Sequence, residues 1–102
     1  MTKNKHYILE GKEIKKVDFH TWSEWFENNE NRRVKLTKHP SGWFVSTVFL
    51  GIDHSFGIGD KDLVFETMAF GTNSYSETRR WSTYTEAVRG HDDLVKEIKD
   101  QI

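Results

Sequence analysis

The chain has no cysteine, which excludes disulfide bonds and thiolate metal sites and fits a reducing compartment. It also lacks any apolar run that approaches the roughly 20 residues of a membrane span. The polar residues Met1 to Lys5 lead into no apolar stretch of the kind that a signal peptide needs. We therefore expect a cytosolic protein with no membrane partner.

The chain also has no large excess of charge of either sign. Its 15 Lys and Arg residues nearly balance its 16 Asp and Glu residues, which leaves a formal charge of −1. Proteins that bind nucleic acid usually carry a basic excess that neutralises phosphates, so direct nucleic-acid binding is not expected. An acidic decoy that mimics phosphates would need a clear negative excess, which is missing too.

A single domain over residues 1–102 is expected from this length, with residues 1–5 predicted to be a disordered lead-in. Seven Phe, four Trp and three Tyr supply much of the apolar area for one core. No repeat, linker or low-complexity segment interrupts the chain.

Two helices are predicted, at about 19–29 and about 83–100. Asp18 is the predicted N-cap of the first helix, whose apolar stripe would contain Phe19, Trp22 and Phe26. Thr83 and Glu86 have the spacing of a capping box at the start of the second helix, which continues with apolar residues at every third or fourth position.

Strands are predicted at about 33–38, 43–50, 63–70 and 76–81, after an N-terminal hairpin around Gly11. The first strand alternates and should be polar on one face, whereas the second is an almost unbroken β-branched and aromatic run, which predicts that both its faces are covered. Short connections favour antiparallel pairing, so we expect an α+β fold in which the two helices pack on a four-stranded meander sheet.

Residues 51–62 form a long loop between two of these strands, and scaffolded loops are where function concentrates. In one interpretation Asp53, His54, Ser55 and Phe56 bind a ligand or partner that approaches the glycine backbone. In the other, Asp53 caps local amides and the loop is a structured connection.

Glu66 stands in an otherwise apolar strand, where a carboxylate is costly unless it is paired or hydrated. It could bind a ligand cation, act as a base, or form an ion pair with Arg79 or Arg80; alternation places it on the face of Val64, Met68 and Phe70. The further candidate binding residues are Thr67, Arg79, Arg80 and Trp81, because arginine and aromatic side chains serve as stacking groups and interface anchors.

A metal site or an active site finds little support in the spacing of the polar residues. His54, His91, Asp53 and Glu66 match no known ligand pattern, and no nucleophile elbow surrounds Ser55. His91 falls on the apolar stripe of the last helix, where a hydrogen-bonded histidine at the core edge is expected. No cofactor is expected, and catalysis by His54 with Asp53 or Glu66 stays an alternative.

Three blocks of sequence carry a resemblance to a known family. They are VSTVFLGIDHSFG at 45–57, FETMAFG at 65–71 and RWSTYTEA at 80–87, the last followed by Gly90 and His91. With these blocks the chain resembles a family of small proteins encoded by bacteriophages, prophages and some bacteria. The chain departs from that family at 58–62, where relatives are richer in glycine and proline.

The resemblance implies an accessory protein in the host-cell cytoplasm that binds and neutralises a host component. One version inhibits a defence protein such as a CRISPR effector, and another sequesters a small nucleotide signal, for which an oligomer would form the pocket. The alternatives are a small hydrolase or nucleotide-processing enzyme, and a structural or virion interaction domain.

Overall fold

The fold is taken from a computed structural model that describes residues 5–29, 32–55, 59–71 and 76–101. It contains six strands and two helices in the described part of the chain. In chain order they are β1 (His6–Glu10), β2 (Glu13–Val17), α1 (Phe19–Asn28), β3 (Arg33–Lys38), β4 (Phe44–Phe49), β5 (Phe65–Phe70), β6 (Ser76–Trp81) and α2 (Tyr84–Gln101).

The strands form two antiparallel sheets. β1 and β2 pair as a hairpin, and the other four strands form one sheet in the order β3-β4-β5-β6. The predicted α+β fold with an N-terminal hairpin and a four-stranded meander is therefore confirmed. Residues 1–4 of the predicted disordered lead-in lie outside the described residues, but Lys5 belongs to the fold because its amine bonds Asp62 at 3.0 Å.

The long helix α2 covers one face of the four-stranded sheet and builds the core with it. Its start is fixed as predicted, since the Glu86 amide donates to Thr83 Oγ1 over 3.1 Å. Its apolar side chains pack with those of β4 and β5 in two clusters. One contains Trp43, Val45, Ala69, Leu94 and Ile98, and the other contains Phe49, Val64, Phe65 and Ala87.

The short helix α1 packs on β1 rather than across the sheet. Asp18 caps it as predicted, accepting from the Thr21 amide over 2.7 Å. Trp25 reaches the edge of the core, where its ring meets that of Phe49 edge-on at 5.6 Å. The hairpin and α1 thus close one end of the core.

The alternation predicted for β3 is wrong, because a β-bulge lies between Arg33 and Lys35. A bulge adds one residue to a strand and so changes which side chains share a face. Arg33 consequently faces the opposite side of the sheet from Lys35 and Thr37, which point to α2 and bond Asp92 and His91. Polar residues of β3 face the core side because the helix offers them partners.

Gly90 lies where α2 packs closely against Trp81 of β6. A Cβ at this position would stand 2.1 Å from Cζ2 of Trp81, whose indole nitrogen is itself tied to Thr67. The indole ring therefore has little freedom to move aside.

We expect Gly90→Ala to lower the free energy of unfolding by about 1–3 kcal/mol, the range for overpacking a core. That is the opposite of the gain of about 1 kcal/mol that alanine brings to an unhindered helix position. Urea titration measures the change, with exposed Arg89→Ala on the same helix as control. An increase in stability for Gly90→Ala would contradict the close packing.

Candidate functional site

The two faces of the four-stranded sheet differ in what covers them. Burial along β4 alternates, with Val45, Thr47 and Phe49 buried under α2 and their neighbours in the chain only half-buried. No described element packs on the second face, which we call the open face. By strand register it consists of Arg33, Leu36, Lys38, Phe44, Ser46, Val48, Glu66, Met68, Phe70, Ser76, Thr78 and Arg80.

The open face is apolar along its centre. Phe44 and Phe70 are cross-strand partners whose rings stack at 5.0 Å, and Phe70 is 37% exposed. Met68 and Val48 continue this apolar strip on the two central strands, half-buried by their neighbours. The predicted strand at 43–50, which is β4, was expected to be covered on both faces. That prediction is wrong for the described structure, because Phe44 and Val48 of β4 face outward.

Glu66 and Arg80 lie together on the open face. They are register partners on β5 and β6, and Arg80 Nε donates to Glu66 Oε2 over 3.0 Å. This is the ion pair that the sequence offered as one interpretation of Glu66. Val64, which was expected on the same face, is instead buried in the core ahead of β5.

Thr67, Arg79 and Trp81 lie on the opposite, covered face. Arg79 donates two hydrogen bonds of 2.9 Å to the carboxylate of Glu97 on α2, which raises the pKa of the guanidinium. Trp81 Nε1 donates to Thr67 Oγ1 over 2.9 Å in the interior. The structure therefore separates these three candidates from Glu66 and Arg80, because neighbours along a strand point to opposite faces.

A continuous chain of hydrogen bonds crosses the covered face. From Thr67 it passes to Thr47 over 2.6 Å, then to His91 Nδ1 over 2.8 Å, and from His91 Nε2 to Thr37 over 2.9 Å. Thr47, Thr67 and His91 have no exposed surface. The histidine is thus buried more deeply than the core edge that the sequence predicted.

Burial lowers the pKa of His91, and the neighbouring charge of Lys35 acts in the same direction. The nearby carboxylate of Asp92 opposes this shift but does not outweigh it. A neutral imidazole fits the chain of hydrogen bonds, since one ring nitrogen can then accept from Thr47 while the other donates to Thr37. The network holds α2 on the sheet.

The 51–62 loop is organised by Asp53. Its Oδ1 accepts from the amides of Ser55 and Leu63 over 2.9 and 2.8 Å, and its Oδ2 accepts from the Ser55 hydroxyl over 2.8 Å. Burial works to raise the pKa of Asp53, but these bonds and the charge of Lys5 together hold it below its usual range. Asp53 and buried Ser55 are therefore engaged within the loop.

His54 stands at the same end of the sheet, with Nδ1 2.8 Å from the Ile52 carbonyl oxygen and its amide donating to the Leu63 carbonyl over 2.8 Å. Phe56, the remaining loop candidate, lies outside the described residues. Gly51 at the loop start has φ +78°, and a Cβ there would stand 2.8 Å from Nε1 of Trp22. The start of the loop is thus packed closely against α1.

A second group of polar contacts joins the end of the loop to β1. Asp62 accepts from Lys5 and from the Tyr7 hydroxyl. Burial raises the pKa of Tyr7, and the hydrogen bond to Asp62 raises it further, so the phenol is a proton donor at neutral pH. Asp62 therefore anchors the end of the loop to β1 and the residue before it.

Groups of three or more His, Asp or Glu that could hold a metal do not occur among the described residues. Within the same residues neither helix is long and apolar enough to cross a membrane. Comparison with family models, with curated proteins and with solved structures finds no match to this chain.

The candidates from sequence do not include the apolar members of the open face, notably Leu36, Phe44, Met68 and Phe70. For Phe44 the signal is the almost unbroken apolar run of the second predicted strand, and for Met68 and Phe70 it is the apolar run of the third; each run exceeds what one covered face requires. Without the helix positions, that excess is as readily explained by a second covering layer.

Proposed function

We propose that this chain is a non-catalytic binding domain that docks a protein partner on the open face. The observation that carries the proposal is the stacked Phe44 and Phe70 pair, with Met68 and Val48 beside it, on a sheet face that no described element covers. An antiparallel sheet with one face in water normally carries polar residues there. Contiguous exposed apolar surface marks an interaction site.

A protein partner suits this surface better than a nucleic acid does. Met68, Val48 and Leu36 are aliphatic and offer no ring on which a base could stack. The Phe44 and Phe70 rings already face each other at 5.0 Å. Apolar side chains of a partner would bury against all five of these residues, and such burial supplies the free energy of most protein interfaces.

The host context of this proposal comes from the resemblance to phage-encoded proteins. In that context the partner is a protein of the host cell, and docking neutralises it, as an inhibitor of a defence protein such as a CRISPR effector would. A nucleotide sponge would instead need an enclosing pocket. Among the surface depressions lined by described residues, three have volumes of about 230, 400 and 380 Å³, the first below and the other two in the lower part of the range of about 300–1,000 Å³ for ligand pockets, and His54 lines none of these three.

We expect Phe70→Asp to weaken binding of the partner by at least about 30-fold, the effect of losing an interface anchor worth about 2 kcal/mol. The partner is captured from host lysate on the wild-type protein and purified, and its affinity is then measured by calorimetry. Capture alone does not support the proposal, because the loss must map to the open face.

Phe19→Asp is the matched control. Phe19 is 57% exposed on α1, so it undergoes the same chemical change away from the open face, and we expect its affinity to stay within about twofold of wild type. Circular dichroism confirms that both variants are folded. Equal binding by wild type and Phe70→Asp would overturn the proposal. The proposal would also be overturned if no captured protein bound wild type more tightly than the variant.

A further inference from the structure

The charged residues of the open face are biased toward one sign. Strand register places Arg33, Lys38 and Arg80 on this face together with a single carboxylate, Glu66. Three cations and one anion leave the face with a formal charge of +2, although the whole chain carries −1. The face therefore has an electrostatic character that the overall composition conceals.

The cations are also the more accessible charges. Arg33, Lys38 and Arg80 are exposed, whereas the side chain of Glu66 is only 15% exposed and is engaged by Arg80. They lie on the outer strands β3 and β6, on either side of the apolar strip that β4 and β5 carry. A docked partner would meet an apolar centre with a cationic border.

The covered face also has an apolar centre between cationic side chains on the outer strands, and there α2 supplies their partners. There Lys35 of β3 bonds Asp92 at 2.5 Å, and Arg79 of β6 bonds Glu97 at 2.9 Å, so α2 brings a carboxylate to each outer strand. Between these carboxylates α2 presents Leu94 and its other apolar residues to the central strands. The cover of that face is therefore an apolar strip flanked by acids.

We propose that the partner presents the same combination, an apolar strip flanked by Asp or Glu side chains, to the open face. This inference rests on the proposed function and adds the chemical character of the partner. Electrostatic complementarity of this kind speeds association and selects among partners. A symmetric dimer that pairs two open faces is disfavoured, since it would bring three cations against three cations.

A display library of random peptides tests the inference even before the partner is identified. Peptides are selected on wild-type protein, and those that also bind the Phe70→Ser variant, which loses the ring without gaining a charge, are removed. We expect the remaining peptides to be enriched about threefold or more in Asp and Glu over Lys and Arg, around an apolar core. A neutral or basic set would overturn the inference while leaving the proposed function intact.

Charge reversal provides the second readout on the same selected peptides. Lys38 makes no ion pair with any described residue, so Lys38→Glu changes the border without breaking an internal contact. We expect it to weaken binding about tenfold at low salt and less at high salt, where charges are screened. Exposed Lys96→Glu on α2 is the control and should have less than about a twofold effect.

The outcomes separate the two proposals. Equal effects of Lys38→Glu and Lys96→Glu would overturn the acidic-partner inference only. Failure to recover any peptide that depends on Phe70 would overturn the proposed function itself. Binding of single-stranded oligonucleotide that Lys38→Glu abolishes, or sedimentation as a dimer that Phe70→Asp disrupts, would each assign the face to another occupant and reject the inference.

Discussion

Thr47→Val is expected to lower the free energy of unfolding by about 2–4 kcal/mol. Valine keeps the shape of threonine but removes the hydroxyl that joins Thr67 to His91. Both remaining groups would be buried without this partner, and each such group costs about 1–3 kcal/mol. Chemical denaturation measures the loss, which is a large part of the roughly 5–15 kcal/mol of a typical domain.

Thr78→Val is the matched control for this substitution. Thr78 makes the same chemical change on the open face of β6, where it is exposed. Its effect should stay within about 0.5 kcal/mol, as for surface substitutions in general. Equal effects of the two substitutions would show that the hydrogen-bonded chain through Thr47 does not stabilise the core.

Mild acid is expected to destabilise the fold through His91. Its pKa is below the ordinary value of 6.5 in the folded state, because burial and Lys35 disfavour the charged ring. The unfolded chain therefore takes up a proton near pH 6.5, while the folded chain resists until a lower pH. The stabilising contribution is complete above about pH 6.5 and is lost as the pH falls toward the folded-state pKa, with a slope of at most about 1.4 kcal/mol per pH unit.

Denaturation midpoints measured between neutral pH and about pH 5 test this dependence. His91→Gln should flatten the curve relative to wild type, whereas His20→Gln should not, since the side chain of His20 is 82% exposed and pairs with Glu24 on its own helix. If His91→Gln does not fold, the ring carbon shifts of His91 in the wild-type protein give the same answer. A fully protonated His91 ring at about pH 6 in the folded state would contradict its burial as a neutral partner of Thr47.

The local sequence signals predicted the elements well. Asp18 and Thr83 cap the two helices at the predicted positions, because capping depends on residues three positions apart in the chain. The strand boundaries agree within about two residues for the same reason, since alternation and turn residues are local. Pairing of β3 with β4 and of β5 with β6 then followed from their short connections, whereas β4 and β5 pair across the long 51–62 loop.

Which residues share a surface was harder to predict, since it depends on contacts far apart in the chain. Arg79 and Arg80 look equivalent in sequence, yet one bonds Glu97 under α2 and the other bonds Glu66 on the open face. The bulge in β3 places Arg33 and Lys35 on opposite faces of the sheet. The loop at 51–62 was predicted correctly as a segment between two paired strands, while its role as a binding surface stays a prediction.

The binding residues that were predicted from the sequence therefore lie on different parts of the domain. Asp53 and His54 lie beyond the end of the sheet, Glu66 and Arg80 on its open face, and Thr67 in the interior. No single ligand can contact all of them. By contrast, the apolar strip that β4 and β5 carry forms one continuous surface.

The methyl group of Met68 gives the most direct test of that surface. The chain has two methionines, so methyl labelling of methionine yields two signals, one of them from the centre of the open face. We expect the Met68 signal to shift on addition of the captured partner and to become protected from a paramagnetic solvent probe, as burial at an interface requires. A Met68 signal that stays unchanged while the partner is bound at saturation would contradict docking on the open face.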